Sequence, residues 1–399
     1  MKRFNNLFDK ICTVENGVLA IIQGTKNKRS DSVVKKLLYS DEKVKEHPEL
    51  YHQIDPEKAR TYIEEILPSL KNKTWQHKKP KSIHKYCQNR TKKGGKWRDL
   101  FVFTLEDHII AHMTMQITMP AFTRGMYAHC CGSVPKRGIK HITKYVPKWL
   151  QNDSESKYFV KLDIKHFFEN INSEKLLSTL KSKIKDEDVI WIFEQIINSA
   201  PIACPVGYYT SPFLANLYLQ DLDWYIEQQL YKIRRNKRIK YVKHYLRYMD
   251  DILLIGSSKK DLEKSIFLIK KYLKDNLNLE IKDSWEIKKV GIHEYNDKKE
   301  WVMRKDTYWC DIGGYKFCKD ASIMRDGIFL AAKRLAKKMS KSNYSIHQCQ
   351  SLNSRIGWSK HCDSYHFYHN NIKPYVNIKA TRRIISDVDK ISKQRRIAS

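Results

Sequence analysis

From Tyr158 to Ile164 the side chains alternate in character, with Tyr158, Val160, Leu162 and Ile164 on one side and Phe159, Lys161 and Asp163 on the other. A period of two predicts a strand with an apolar underside, Asp163 facing up into a cleft. In the run Tyr245 to Ile255, the pair Asp250-Asp251 sits between stretches of β-forming residues, where a hairpin would turn. Helical periods fill much of the rest. Residues 1 to 74 carry them, notably Pro56 to Leu67, and Ser173 to Ile184 (capped by Asn172) and Glu187 to Asn198 continue the pattern. Ser211-Pro212 breaks the chain ahead of an apolar helix from Phe213 to Leu222. Later, Ile328 to Met339 is amphipathic and basic, and His347 to Tyr375 is mostly helical. Gly94-Gly95, between Lys92-Lys93 and Lys96-Trp97-Arg98, reads as a hairpin tip with cations on both arms. Lys232 to Lys240 reads as an exposed basic loop.

The carboxylates change the picture. Two adjacent Asp on an apolar hairpin would each cost several kcal/mol if buried unpaired, or take up a proton, so a positive charge must stand opposite. Divalent metal is the simplest answer, because Mg²⁺ takes hard oxygen ligands in octahedral geometry. Two such ions roughly 3.5–4 Å apart can hold the attacking and leaving oxygens of an in-line phosphoryl displacement. Asp163 alone would be an ordinary solvated strand end. Together with Asp250 and Asp251 it makes a three-carboxylate set on neighbouring strands.

In order along the chain stand Asp163 with Phe167-Phe168, then Gly207-Tyr208-Tyr209-Thr210-Ser211-Pro212-Phe213-Leu214-Ala215-Asn216, then Tyr248-Met249-Asp250-Asp251. This ordered set resembles the motifs of reverse transcriptases, over residues 75 to 320. The resemblance implies an α/β (α+β) right-hand polymerase with an antiparallel-sheet palm, fingers and an α-helical thumb. Residues 1–74 would form a helical extension, 75–155 the fingers (returning at 172–204), 156–171 and 205–318 the palm, and 319–399 a basic thumb. Catalysis would fall to Asp163, Asp250 and Asp251, which with the backbone carbonyl of Ile164 would hold two Mg²⁺, Mn²⁺ being a substitute.

The same resemblance assigns the other positions. Phe168 would lie under the incoming sugar and collide with a 2′-hydroxyl, while Phe167 packs in the core. Lys92, Lys96 and Arg98 would grip the triphosphate, alongside Val206 and Gly207; Arg98 offers the planar fork that suits phosphate. Lys282, in the alternating stretch Leu277 to Lys282, would protonate the pyrophosphate leaving group, in competition with Lys288 and Lys289. Arg137, within Ser133 to Gly138, Ser211, Pro212, Tyr248, Met249 and the turn residues Gly314 and Tyr315 would contact template or primer. Two departures bear on the subgroup. Val206 replaces the Gln that most of the family carries, as in diversity-generating retroelements, but those enzymes usually have Ser-Gln where this chain has Ser211-Pro212. Retron enzymes usually show a Val-Thr-Gly in the thumb, and this chain has none.

Charge supports a polyanion partner. The 399 residues hold 75 Lys or Arg against 44 Asp or Glu, a net +31. Residues 321–399 alone carry 16 Lys or Arg against four Asp, and 71–98 carry 11 with no acid, interleaved with Trp75, Tyr86 and Trp97. Such an excess predicts a bound nucleic-acid duplex and steep salt dependence. No run reaches the length of an apolar span, so a membrane partner is not expected. Nine cysteines, with no Cys-x-x-Cys and no signal pattern, point to a reducing cytoplasm. His361, Cys362, His366 and His369 lack the close Cys pair of zinc fingers and read as helix packing or phosphate-facing side chains.

The expectation is therefore an RNA-directed DNA polymerase using deoxynucleoside triphosphates and a structured noncoding RNA template, with an RNA–DNA duplex as product. Antiphage defence is the first expected role and mutagenic retrohoming the second; a non-catalytic RNA-binding scaffold is the alternative of another class. A homo-oligomer or an accessory protein stays open.

Overall fold

A computed structural model describes residues 3–25, 33–34, 54–88, 95–341 and 343–397. Among the described residues the first named helices are α1 (Phe8–Ile11), α2 (Val14–Gly24) and α3 (Pro56–Lys71). Asp55 starts α3 by accepting from the backbone N–H groups of Glu57 and Lys58, with Pro56 at the first helical position. Strands β1 (Lys81–Gln88) and β2 (Gly95–Val102) pair antiparallel, Gln88 opposite Gly95. The expected hairpin thus exists, while its tip, with Lys92 and Gly94, lies outside the described residues. Helix α4 (Leu105–Thr123) is buried on every side from Asp107 to Met115 and forms the axis around which the first half packs.

Helix α5 (Ile139–Leu150) leads to β3 (Tyr158–Asp163), followed by α6 (Ser173–Lys183), α7 (Glu187–Ile197), α8 (Ser211–Tyr218) and α9 (Gln220–Gln229). Asn172 caps α6 by accepting from Lys175 N–H, as its sequence position predicts. The apolar helix expected from Phe213 to Leu222 is two helices, broken at Leu219. Residues 232–240 are a hairpin rather than a loop, β4 (Tyr231–Arg234) against β5 (Lys237–Lys240), with Arg235 and Asn236 both left-handed at the turn.

The central sheet follows with β6 (His244–Tyr248) and β7 (Asp251–Gly256). Helix α10 (Lys259–Tyr272) continues as a π-helical turn, Leu273–Leu277, before β8 (Lys288–Lys289). The sheet order is β6-β7-β3-β8, antiparallel throughout. The alternating stretch Leu277 to Lys282 does not run as a regular strand. Asn278 instead takes a left-handed conformation, and only a single bridge joins Ile281 to Ile164. Two small sheets follow, β9 (His293–Tyr295) with β10 (Trp301–Met303), and β11 (Cys310–Ile312), β12 (Tyr315–Phe317) and β13 (Ser322–Met324). Helices α11 (Asp326–Met339), α12 (Ile346–Ser359), α13 (Tyr365–Asn371) and α14 (Ile378–Ile397) close the chain. Because β13 pairs with β12, the sheet continues past the boundary expected at 319.

The central sheet separates two cores. Val160, Leu162, Ile164, Ile252 and Leu254 face the N-terminal helices, α4 and α10. Phe159, Leu246, Leu253 and Ile255 face α5, β11–β13 and the C-terminal helices. Val160 and Leu162 share the apolar underside and Phe159 lies on the other face, as expected, but that face is packed as well: Phe159 is 5% exposed and belongs to the second core. Trp75, read as part of a basic aromatic stretch, is core at 3% exposed.

Candidate active site

Register brings the carboxylates together. Asp163, last in β3, lies directly across from Asp251, first in β7, while Tyr248 pairs with Asp251 and leaves Met249 and Asp250 as a two-residue turn. That turn is costly for the residues it uses, because Met249 has φ +57°, a left-handed conformation that a non-glycine side chain resists. Gly132 lies against it. A Cβ there would stand 2.8 Å from Met249 N and 2.7 Å from its Cγ, so the close approach requires glycine.

The turn is held from beneath by a buried ion pair. Arg247 and Asp223 have no exposed side-chain surface, and the guanidinium donates through Nε and Nη2 to the two carboxylate oxygens at 2.7 Å each. Its Nη1 donates to Asn216 Oδ1 at 2.8 Å and to the Met249 carbonyl at 3.1 Å. Tyr245 donates its hydroxyl to Asp223, and Asn216 donates to the Gly132 carbonyl at 2.6 Å. Backbone bonds add Cys131 N–H to Arg247 O and Arg247 N–H to His129 O. Helices α8 and α9, the 129–132 loop and the Asp250 turn thus meet at one guanidinium.

Above the turn the carboxylates meet lysines. Asp163 pairs with Lys282, and Asp251 with Lys161 at 2.8 Å. Burial, then the charges of Asp251 and Asp163, push the Asp250 carboxyl up to about 6. The pairing of Asp163 helps raise Lys282 above the usual lysine range. Three hard oxygen donors whose charges repel one another form a donor set suited to divalent cations. Of Lys282, Lys288 and Lys289, Lys282 is the one at this rim. Lys288 and Lys289 pair with Phe159 and Tyr158 in the sheet, and the Lys288 ammonium meets Glu286. Ile164 follows Asp163 at the bridge to Ile281.

Other expected residues divide. Phe168 is half-buried beside the buried Phe167. Lys96 and Arg98 are exposed on β2. Tyr248 and Met249 are half-buried at the turn, and Pro212 sits in the first turn of α8. Gly207 approaches protein rather than an open platform: φ is +118°, a Cβ would lie 2.6 Å from the Phe101 carbonyl, and Phe101 N–H donates to Val206 O. Ser211 is buried and donates to Pro205 O. Arg137 spends its Nη1 on the Tyr127 and Cys130 carbonyls, bracing the 127–130 loop. Gly314 and Tyr315 are corrections. Gly314 is buried, a Cβ on it would meet Trp358 at 2.5 Å, and Tyr315 is wholly buried with its hydroxyl donating to Trp358 O. Neither presents a surface to a primer.

Residues 90–284 match the reverse transcriptase (RNA-dependent DNA polymerase) family. That stretch is a reverse transcriptase domain. It is similar to the Retron Ec73 reverse transcriptase of Escherichia coli, at 25% identity over 253 residues, covering 60% of this chain and 73% of that one. It is also 25% identical over 212 residues to the group II intron-encoded protein LtrA of Lactococcus lactis subsp. cremoris, covering 50% of this chain and 34% of LtrA. Among solved structures, telomerase from Candida albicans in complex with a fragment of telomeric RNA aligns over 86% of this chain and 63% of that one, at 9% identity and a TM-score of 0.44. That likeness is loose and adds nothing to the assignment. The missing Val-Thr-Gly set this reverse transcriptase apart from retron enzymes, yet similarity to one extends over 253 residues.

Sequence reasoning missed Arg247, Asp223, Asn216, Gly132 and Lys161. A signal existed for the first two: a charge inside a run otherwise fit for a core, and an acid inside an apolar helix face.

Arg247→Met should destabilise the protein by about 3–5 kcal/mol in urea denaturation, because Asp223 is left buried and unpaired. Adding Asp223→Leu should restore most of that stability without restoring nucleotide incorporation, since the Met249 carbonyl still lacks its donor. Full recovery of incorporation would remove Arg247 from the positioning of the turn.

A carboxyl raised from 3.8 to about 6 costs stability progressively as pH rises through that window, and the cost is constant above it. Metal-free Asp250→Asn should therefore exceed the parent by roughly 1–3 kcal/mol at neutral pH. The difference should vanish as pH falls to the ordinary carboxylate range, measured by denaturant midpoints across pH.

Proposed function

We propose that this reverse transcriptase makes DNA on a dedicated noncoding RNA at the Asp163, Asp250 and Asp251 rim, by two-metal nucleotidyl transfer, in defence against phage. The observation that carries the chemistry is the register that sets Asp163 opposite Asp251 with Asp250 at the adjoining turn. Asp163, Asp250 and Asp251, with the Ile164 carbonyl, would hold two Mg²⁺, or Mn²⁺ as a substitute. Those ions would supply the charge that favours the attacking 3′-oxygen as its anion and offsets charge building on the leaving pyrophosphate. Lys282, paired with Asp163 at the same rim, would meet polyphosphate and return a proton to it. Phe168 would exclude the 2′-hydroxyl of ribonucleotides. The exposed cations Lys96 and Arg98 would meet the triphosphate of the incoming deoxynucleotide, a role proposed for Lys92 as well.

The basic C-terminal helices suit an RNA–DNA duplex, and Pro212 in place of the usual Gln favours defence over diversification. Val206 favours the second reading, a diversity-generating retroelement. Nine free cysteines fit a cytoplasmic setting, and among the described residues no helix is long and apolar enough to cross a membrane.

Asp250→Asn with Asp251→Asn should abolish deoxynucleotide incorporation on a primed RNA template; unaltered synthesis would refute the assignment of the rim. The RNA that copurifies from the native host should be dominated by a single species or a few related ones. A uniform random population would sink the dedicated template, and a paired template and variable repeat beside the gene would turn the role to diversification.

A further inference from the structure

Among the described residues, one group of three metal-ligating side chains has all its ligand atoms within 4.8 Å of one another: His293, Cys318 and Asp320. It shares no residue with the carboxylate rim and lies where β9 meets the turn between β12 and β13. Asp320 Oδ2 is 3.0 Å from His293 Nδ1, Cys318 Sγ is 3.2 Å from Asp320 Oδ1, and Sγ to Nδ1 is 3.8 Å. A tetrahedral zinc site with bonds of 2.0–2.3 Å has ligand–ligand edges of about 3.3–3.6 Å. The Sγ to Nδ1 separation of 3.8 Å lies just above that range, and one oxygen of Asp320 approaches each of the other two ligands.

The backbone holds these ligands ready. Lys319 N–H donates to Gly291 O at 2.9 Å, Gly291 N–H to Tyr308 O at 2.8 Å, and Cys318 N–H to Ala321 O at 2.9 Å. His293 N–H reaches both oxygens of Asp320 at 3.3 Å, which orients the carboxylate as an outer-sphere donor would. Cys318 is buried at 1% exposed, while the His293 and Asp320 side chains keep some access to solvent. A thiol sheltered from solvent and from disulfide partners, beside an imidazole and a carboxylate, is a donor set of borderline softness.

The hairpin that carries His293 also needs an anchor. Two-stranded hairpins are marginal in water, and here Tyr295 and Trp301 are 69% and 55% exposed, so the hairpin contributes little to either core. We propose that His293 Nδ1, Cys318 Sγ and Asp320 bind one Zn²⁺-type cation, with water in the fourth position, and that this ion staples the β9–β10 hairpin to the β11–β13 sheet. Binding replaces the Cys318 S–H bond with a sulfur–metal bond and releases that proton to solvent. The four residues His361, Cys362, His366 and His369 form no such group.

The test uses the full chain, purified without a histidine tag, stripped with chelator and titrated with Co²⁺ and separately with Zn²⁺. Stoichiometric cobalt binding with a thiolate-to-metal charge-transfer band is expected, lost in Cys318→Ser and strongly weakened in Asp320→Asn. Zn²⁺ should raise the melting temperature of the parent protein and leave that of Cys318→Ser unmoved. His293→Gln, at a partly exposed position, gives the same readout should the cysteine variant fold poorly. A band that persists in Cys318→Ser would assign binding to another cysteine, and absence of a band would mean a hydrogen-bonded cluster only; either result overturns the proposal. The Asp163, Asp250 and Asp251 rim offers oxygen alone and gives no such band, so the outcome is independent of the polymerase chemistry.

Discussion

The buried pair of Arg247 and Asp223 is the constraint on which the site depends. Sealing two charges from water costs several kcal/mol each, and only near-ideal geometry recovers it. Here both carboxylate oxygens are taken by one guanidinium at 2.7 Å, and the remaining donors go to Asn216, the Met249 carbonyl and Cys130. An apolar pair of equal volume could stabilise the fold as well. It could not fix a left-handed methionine, because that needs a hydrogen-bond donor aimed at one carbonyl from a rigid base. Gly132 completes the clamp from the other side, and its own carbonyl is held by Asn216.

The clamp works because the sheet above it cannot shift. Each strand of the β6-β7-β3 unit sends alternate side chains into different cores, Val160 and Leu162 into one, Phe159 into the other. Sliding β3 by one residue against β7 would exchange the two sets and part Asp163 from Asp251. Core packing on both faces therefore sets the distance between carboxylates, and the buried ion pair sets the angle of the turn that carries the third.

How legible this was depended on whether local chemistry or distant packing decided a position. The strand at 158–163, the Asp250 turn and the Asn172 cap followed from short-range pattern, because alternation, turn placement and capping are properties of adjacent residues. Gly314 and Tyr315 were misjudged because a Gly-Gly turn looks alike whether it faces solvent or Trp358, and the residue that buries it lies 44 positions away. Trp75 failed for the same reason, its basic neighbours masking a ring that packs edge-on to Trp191. Arg247 carried a signal, a charge inside an apolar strand, but its partner did not follow from it, because Asp223 lies on a helix 24 positions earlier.

The two kinds of positive charge around the rim then divide the labour. Lys161 and Lys282 contact Asp251 and Asp163 with 28–42% of each side chain exposed, a degree of hydration at which an ion pair contributes at most about 1 kcal/mol. Such pairs exchange readily for a cation of higher charge density. Arg247, with no exposed surface, cannot exchange at all. In the proposed reaction the lysines would neutralise the rim between turnovers and give way when metal and nucleotide arrive, freeing Lys282 to face phosphate. Arginine beneath holds the turn in place through both states. In the proposed cycle, a site that gains and loses divalent charge needs weak partners on its open side and a permanent one on its closed side, and that is the asymmetry these three ion pairs display.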